Sequence, residues 1–146
     1  MRLSQRTKDL IKICALENDL IRENLPINWL ISSLNFGELG GKEGGDDFLT
    51  SGITRIKFWN YCLLITPLVL NNSNLWLILS ETQVFNNFNK DNDPYGEHDF
   101  GNFKIHGETY YFKFDYWEND KMEFGAENHL KYECYRGLTI MNSSEY

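Results

Sequence analysis

Hydrophobic positions recur with helical spacing near the start of the chain. Between residues 5 and 24, apolar side chains lie three, four or seven positions apart, with charged residues on the opposite side, at Leu10, Ile13, Cys14, Leu20 and Ile21. This pattern predicts one amphipathic helix that ends before Pro26. Residues 25–36 predict a short second helix, because proline suits the first helical turn.

Residues 37–89 alternate between glycine-rich, β-branched and apolar stretches. Residues 37–47 predict a glycine-rich, acidic loop, and residues 48–59 predict a strand with a kink at Gly52. The apolar run 62–70 is too short to classify, although Pro67 argues against a central strand there. A helix from about residue 75 to residue 89 follows Asn74, which is a suitable N-cap.

A two-residue period appears after residue 101. Residues 102–106 and 109–117 alternate between apolar and polar positions around a turn at His106 and Gly107, which predicts a β-hairpin. Residues 137–141 predict a closing strand, with a helix as the alternative. Together these elements indicate an α+β fold, in which an antiparallel sheet with an aromatic hairpin packs against one or two helices beside the N-terminal amphipathic helix.

Composition and charge narrow the class of protein. The 146 residues fit a single domain, and their net charge of −7 comes entirely from residues 91–146, where twelve acidic residues face five basic ones. Such a negative potential disfavours direct binding to nucleic acids or anionic membranes and favours a protein partner with a basic surface. Three cysteines without short spacing, and an N-terminus without a signal-peptide pattern, predict a cytoplasmic protein.

Three short motifs carry a family resemblance. Asn92–Gly101 reads NDPYGEHDFG, residues 112–117 read FKFDYW, and residues 138–146 read LTIMNSSEY. These motifs resemble those of a family of small bacterial proteins that is known only as a domain of unknown function and is associated with plasmids and phage-derived regions. The resemblance covers residues 49–146 and leaves residues 1–48 as an N-terminal helical extension. It implies an α+β fold and a mobile-element context, but no activity.

The string 92–101 concentrates groups that are capable of chemistry. Its motif residues are Asp93, Gly96, Glu97, His98, Asp99 and Gly101. Three interpretations stay open: a structural turn with side chains that cap backbone groups, a metal site formed by Asp93, Glu97, His98 and Asp99, or a general base made of a carboxylate beside a histidine. No cofactor is predicted.

The leading functional hypothesis is binding rather than catalysis. The one-sided charge and the aromatic hairpin predict a small interaction protein that binds and inhibits or modulates a host protein, of which a nucleic-acid-handling defence enzyme is one example, as anti-CRISPR or anti-restriction proteins do. The predicted partner-binding residues are Tyr111, Asp115, Trp117, Glu118 and Asp120. The competing hypotheses are a metal-dependent hydrolase built on the Asp93, Glu97, His98 and Asp99 cluster and a structural or dimerising module. The oligomeric state is not encoded in any visible pattern.

Overall fold

Two helices open the chain where the hydrophobic periodicity predicts them. The buried face of the first helix differs from the predicted apolar face, because Ile13 and Leu20 are 51% and 60% exposed. The computed structural model describes residues 2–35 and 52–146, so the predicted glycine-rich loop 37–47 lies outside the described residues. Helix α1 is Gln5–Glu23 and helix α2 is Ile27–Asn35. The Ser4 hydroxyl caps α1 by accepting a hydrogen bond from the backbone N–H of Thr7 at 3.1 Å.

The described residues form one five-stranded sheet with the order β1-β2-β5-β4-β3. All neighbouring pairs are antiparallel except β2 and β5, which run parallel. The fold is therefore α+β with a mostly antiparallel sheet. The strands are β1 (Thr54–Lys57), β2 (Tyr61–Ile65), β3 (Phe100–Ile105), β4 (Glu108–Trp117) and β5 (Tyr135–Asn142).

The predicted aromatic hairpin is confirmed as β3 and β4. His106 and Gly107 join the two strands, and both have positive φ values, of 50° and 84°. This is the conformation that a two-residue type I′ turn requires, and glycine adopts it without strain. The predicted closing strand is also confirmed as β5, and it lies in the centre of the sheet rather than at an edge.

The middle of the chain differs from prediction in the run 62–70. Its first half belongs to β2, which is an interior strand between β1 and β5, so the argument from Pro67 against a central strand was wrong. The strand ends at Ile65, and Pro67 instead begins a short helix, α3 (Pro67–Leu70), where its missing N–H costs nothing.

The predicted strand 48–59 is shorter in the structure, and its first residues, 48–51, lie outside the described part of the chain. The described strand β1 begins only at Thr54. Gly52 has a φ of +90° at the predicted kink, and a Cβ atom on it would lie 2.7 Å from Cγ of Pro67.

Helix α4 (Leu75–Val84) is shorter than the predicted helix from about residue 75 to residue 89. The chain leaves the helical conformation at Phe85, whose φ and ψ are −57° and 132°. Phe85 and Phe88 continue the apolar spacing of the helix but reach the core from extended chain, where their rings pack edge to face 5.0 Å apart. Apolar spacing alone does not distinguish these two arrangements.

The described helices contribute to one hydrophobic core on a single face of the sheet. Phe112 and Phe114 of β4 lie in it at 0% and 4% exposure, beside Leu138 and Ile140 of β5, which confirms the predicted inward face of the hairpin. None of the described helices has the length and apolarity needed to cross a lipid bilayer.

We expect Phe112→Ala to lower the free energy of unfolding by about 3 to 5 kcal/mol, because it removes a fully buried ring and leaves a cavity. Urea denaturation followed by circular dichroism measures this change. The control is Phe124→Ala, since the Phe124 ring is 67% exposed, and it should change stability by less than about 0.5 kcal/mol. Similar losses in both variants would contradict the assigned core.

Candidate functional site

The Asp93 side chain stabilises the conformation of the string 92–101, to which it belongs. One carboxylate oxygen of Asp93 accepts hydrogen bonds from the backbone N–H groups of Glu97 at 3.0 Å and His98 at 3.2 Å. Gly96 and His98 have positive φ values, of 75° and 56°, within the loop that this carboxylate closes. His98 is thus a non-glycine residue in the left-handed region, a conformation that needs support from its surroundings.

That support comes from α1 and from Phe88. Nδ1 of His98 lies 2.9 Å from Oδ2 of Asp19, and the imidazole stacks on the Phe88 ring at 4.0 Å between centroids, with 3° between the planes. Asp19 also accepts a hydrogen bond from Arg22 at 2.9 Å. The histidine of the string is therefore paired with a carboxylate from another part of the chain.

Arg22 connects the same side of α1 to the end of α4. Its Nη1 atom donates to the backbone carbonyls of Thr82 and Phe85, at 2.8 Å each, and of Gln83 at 3.2 Å. These carbonyls lie at the C-terminus of a helix, where a cation is electrostatically favoured. The arginine also lies over the rings of Phe88 and Phe112.

Glu97 points away from His98 into a second cluster. Its Oε1 atom lies 2.8 Å from Nε2 of His129, 3.2 Å from the hydroxyl of Tyr116 and 3.9 Å from Sγ of Cys14. The His129 ring stacks on the Tyr116 ring at 3.9 Å between centroids. Helix α1, the string, strand β4 and the segment before β5 thus meet at one carboxylate oxygen.

Asn18 and Arg136 complete the second cluster. The Asn18 amide donates to the Tyr116 hydroxyl at 2.8 Å and to the Glu97 carbonyl at 3.0 Å, while its oxygen accepts from Nε of Arg136 at 2.6 Å. Nη2 of Arg136 lies 3.6 Å from Sγ of Cys14. Every polar group of the Asn18 side chain is therefore satisfied inside the protein.

Burial sets the protonation of several groups here. It raises the pKa of the Cys14 thiol and of the Tyr116 phenol, so both are neutral at neutral pH. Burial, together with the nearby Glu97 and Asp93, raises the pKa of Asp99 to about 6. A thiol that is buried and neutral does not act as a nucleophile.

The four residues of the predicted metal site, Asp93, Glu97, His98 and Asp99, contact different parts of the protein. His98 faces Asp19, whereas the Asp93 carboxylate accepts from backbone N–H groups of the string itself. Glu97 faces Cys14 and His129, and the backbone carbonyl of Asp99 accepts from the N–H of Phe114 at 2.8 Å. Among the described residues, the ligand atoms that do converge belong to Cys14, Glu97 and His129. For the general-base interpretation, the two hydrogen-bonded histidine–carboxylate pairs, His98 with Asp19 and His129 with Glu97, each need a partner outside the string. Inside the string, Nε2 of His98 lies 3.8 Å from Oδ2 of Asp93.

The predicted partner-binding residues fall into two groups. The Tyr111 ring packs 5.3 Å from those of Phe100 and Tyr146. Trp117 covers Gly137, where an added Cβ atom would lie 3.1 Å from the indole nitrogen. Asp115 pairs with Lys113 at 3.2 Å. By contrast, Glu118 and Asp120 are exposed at the start of the segment 118–134.

The segment 118–134 also forms a surface that the sequence analysis did not single out. Three carboxylates and two exposed aromatic rings surround a concavity of about 400 Å³, which we call the acidic concavity, at Glu118, Phe124, Glu127, Tyr132 and Glu133. The available sequence signal was the density of acidic residues among 118–133. Nothing in the pattern showed that Phe124 and Tyr132 stay exposed beside them.

A second cleft, of about 670 Å³, lies next to the Glu97 cluster and shares Tyr132 and Glu133 with the acidic concavity. It is bordered by Glu17 and Leu20 of α1, by Trp59 between β1 and β2, and by His129 and Arg136. His129 is therefore reachable from solvent on one side while it contacts Glu97 on the other.

The fold and the two clusters define a small α+β protein in which a carboxylate-rich string anchors the first helix. The chain belongs to the family described as "Protein of unknown function (DUF3768)", whose model matches residues 65–145. The match begins later than the resemblance predicted, so residues 49–64 lie outside it. No curated protein and no solved structure matches the chain.

We expect Asp93→Ala to lower the free energy of unfolding by about 1 to 3 kcal/mol, because the backbone N–H groups of Glu97 and His98 lose their acceptor. Thermal and urea unfolding measure the change. Asp91→Ala is the matched control, since Asp91 is an exposed carboxylate two residues earlier, and it should cost less than about 0.5 kcal/mol. Equal costs would show that Asp93 does not support the string.

Proposed function

We propose that this chain is an acidic protein-binding module that docks its acidic concavity on a basic surface of a host protein and thereby inhibits or modulates it. The proposed target class is a nucleic-acid-handling defence enzyme, because a groove that binds phosphates presents the basic surface this concavity complements. A cytoplasmic setting and carriage on phages or plasmids, as for anti-CRISPR or anti-restriction proteins, are parts of the same proposal.

The acidic concavity is the observation that carries the proposal. The Phe124 ring is 67% exposed and the Tyr132 ring is 60% exposed, beside the carboxylates of Glu118, Glu127 and Glu133. A lysine or arginine side chain gains from both kinds of neighbour, because carboxylates pair with its charge and aromatic faces attract it. Exposed aromatic residues are also typical anchors of protein interfaces.

The distribution of charge supports the same partner. The twelve acidic residues of 91–146 outnumber the five basic ones, and five of the twelve lie in 118–133. Their combined field accelerates encounter with a basic surface and is screened by salt over about 8 to 10 Å. Glu118 and Asp120, predicted from sequence, belong to this segment, whereas Trp117 precedes it and pairs through its backbone with Gly125 inside it.

Lys131 makes the kind of cation–π contact that we propose for a basic side chain of the partner. Its ammonium group lies over the Tyr132 ring, 5.4 Å from the centroid. A basic side chain of a partner therefore competes with Lys131 for this ring.

The first test neutralises the acidic concavity without changing its shape. We expect the triple variant E118Q/E127Q/E133Q to slow association with a captured basic partner by about ten-fold or more at low salt, while its melting temperature is unchanged. Capture from host lysate at low and high salt identifies the partner, and surface plasmon resonance with the purified partner gives the rates. Inhibition is then measured as loss of the partner's nucleic-acid binding or cleavage.

The matched control is E23Q/D91N/E108Q, which removes three exposed carboxylates elsewhere. If both triple variants slow association equally, net charge rather than the acidic concavity governs binding. If neither variant changes it, the proposal is wrong, and the hypothesis of a structural or dimerising module gains support from sedimentation of the free protein as a dimer.

The second test removes the internal competitor. We expect Lys131→Ala to tighten binding of the same partner by about two- to five-fold, because the Tyr132 ring and the nearby carboxylates become available to a partner cation. Lys90→Ala is the control, since it removes an exposed lysine outside this segment. Weaker binding of Lys131→Ala would contradict the assigned role of Tyr132.

A further inference from the structure

We propose that Cys14, Glu97 and His129 form a binding site for one Zn²⁺ ion. The sulfur, oxygen and nitrogen atoms that these side chains offer all lie within 4.8 Å of one another. They come from three distant parts of the chain, namely helix α1, the string 92–101 and the segment 118–134. The inference does not rest on the proposed function, since it concerns a different set of residues and a different ligand.

The spacing of the donor atoms is close to that of a tetrahedral zinc site. Zinc binds nitrogen, oxygen and sulfur at about 2.0 to 2.3 Å, which places neighbouring donors about 3.3 to 3.6 Å apart. Here Oε1 of Glu97 lies 2.8 Å from Nε2 of His129 and 3.9 Å from Sγ of Cys14. Side-chain shifts of under about 1 Å bring these pairs to zinc distances.

The donor types select the ion. A thiolate and an imidazole favour Zn²⁺ over Mg²⁺ and Ca²⁺, which prefer sites made of oxygen atoms. One thiolate and one carboxylate also balance the two positive charges of the ion. Three protein ligands leave a fourth position for water, as in zinc sites that are open to solvent.

The proton balance of binding follows from the contacts. The Cys14 thiol gives its proton to solvent when the sulfur binds zinc. When Nε2 of the neutral His129 imidazole binds the ion, the single ring hydrogen is held on Nδ1, so this side chain releases no net proton. No electron is transferred, because Zn²⁺ has no redox chemistry.

The surroundings support the ligands. Nη2 of Arg136 and the Tyr116 hydroxyl lie 3.6 and 3.5 Å from Sγ of Cys14, where both can donate to a thiolate. The charge of Arg136 is faced by Glu17, 3.6 Å away, which offsets its repulsion of a cation. The His129 side chain is 28% exposed and borders the 670 Å³ cleft, which gives the ion a path from solvent.

The experiment is a titration of the full chain with Zn²⁺ alone, followed by calorimetry, together with a parallel Co²⁺ titration followed by absorption. We expect one ion per chain, release of protons that varies with the buffer, and a sulfur-to-cobalt charge-transfer band. Cys14→Ser should abolish that band. His129→Ala should weaken Zn²⁺ binding beyond the roughly 10- to 100-fold that loss of a supporting contact costs.

Cys134→Ser and His106→Asn are the matched controls, since they remove a cysteine and a histidine that lie outside the cluster, and both should bind Zn²⁺ as the unmodified chain does. Far-UV circular dichroism checks that each variant is folded, and the partly exposed His129 keeps the test usable if Cys14→Ser unfolds. The proposal is overturned if Zn²⁺ shows no one-to-one binding, or if folded His129→Ala binds it with unchanged affinity. Neither result bears on the acidic concavity.

Discussion

The inner face of α1 carries two polar side chains beside its apolar ones. A polar side chain can be buried only where hydrogen-bond partners meet it. Asn18 and Arg22 are 0% and 1% exposed. Their partners are the carbonyl of Glu97, the hydroxyl of Tyr116 and the carbonyls at the end of α4. Hydrogen bonds are directional, so they determine the position of α1 more narrowly than apolar contact alone does. The conformation of the string 92–101 follows from this requirement, because the string must present both a carbonyl and carboxylates to the helix.

Elements whose structure is determined by residues close together in sequence could be predicted. The alternation of Phe112 and Phe114 with polar residues was enough to identify β4 and its inward face, and the His106–Gly107 pair was enough to place the turn. The boundary of α4 could not be predicted, because Phe85 and Phe88 continue a helical spacing in chain that is not helical. Likewise, Pro67 gave no indication that the strand before it would be an interior one.

The sequence showed only some of the residues that form the clusters around Asp93 and Glu97. The string displays its own carboxylates and histidine, but the partners of His98 and Glu97, namely Asp19 and His129, are far away in sequence. The spacing placed Cys14 on the apolar face of the predicted helix and the charged Arg22 on the opposite side, and it did not single out Asn18. Only the packing of α1 against the sheet shows that Asn18 and Arg22 point inward with Cys14. Pairings over such separations carry no signal in a single sequence.

The position of β5 between β2 and β4 has a consequence for how the protein is made. Until residues 135–142 have emerged from the ribosome, β1–β2 and β3–β4 are two separate hairpins, each with an unpaired edge. Joining them requires the chain to close a loop of some seventy residues between β2 and its parallel neighbour, which is entropically slow. The sheet is therefore completed by the last of its five described strands to be synthesised. A chain interrupted before β5 would leave the edges of β2 and β4 exposed to aggregation.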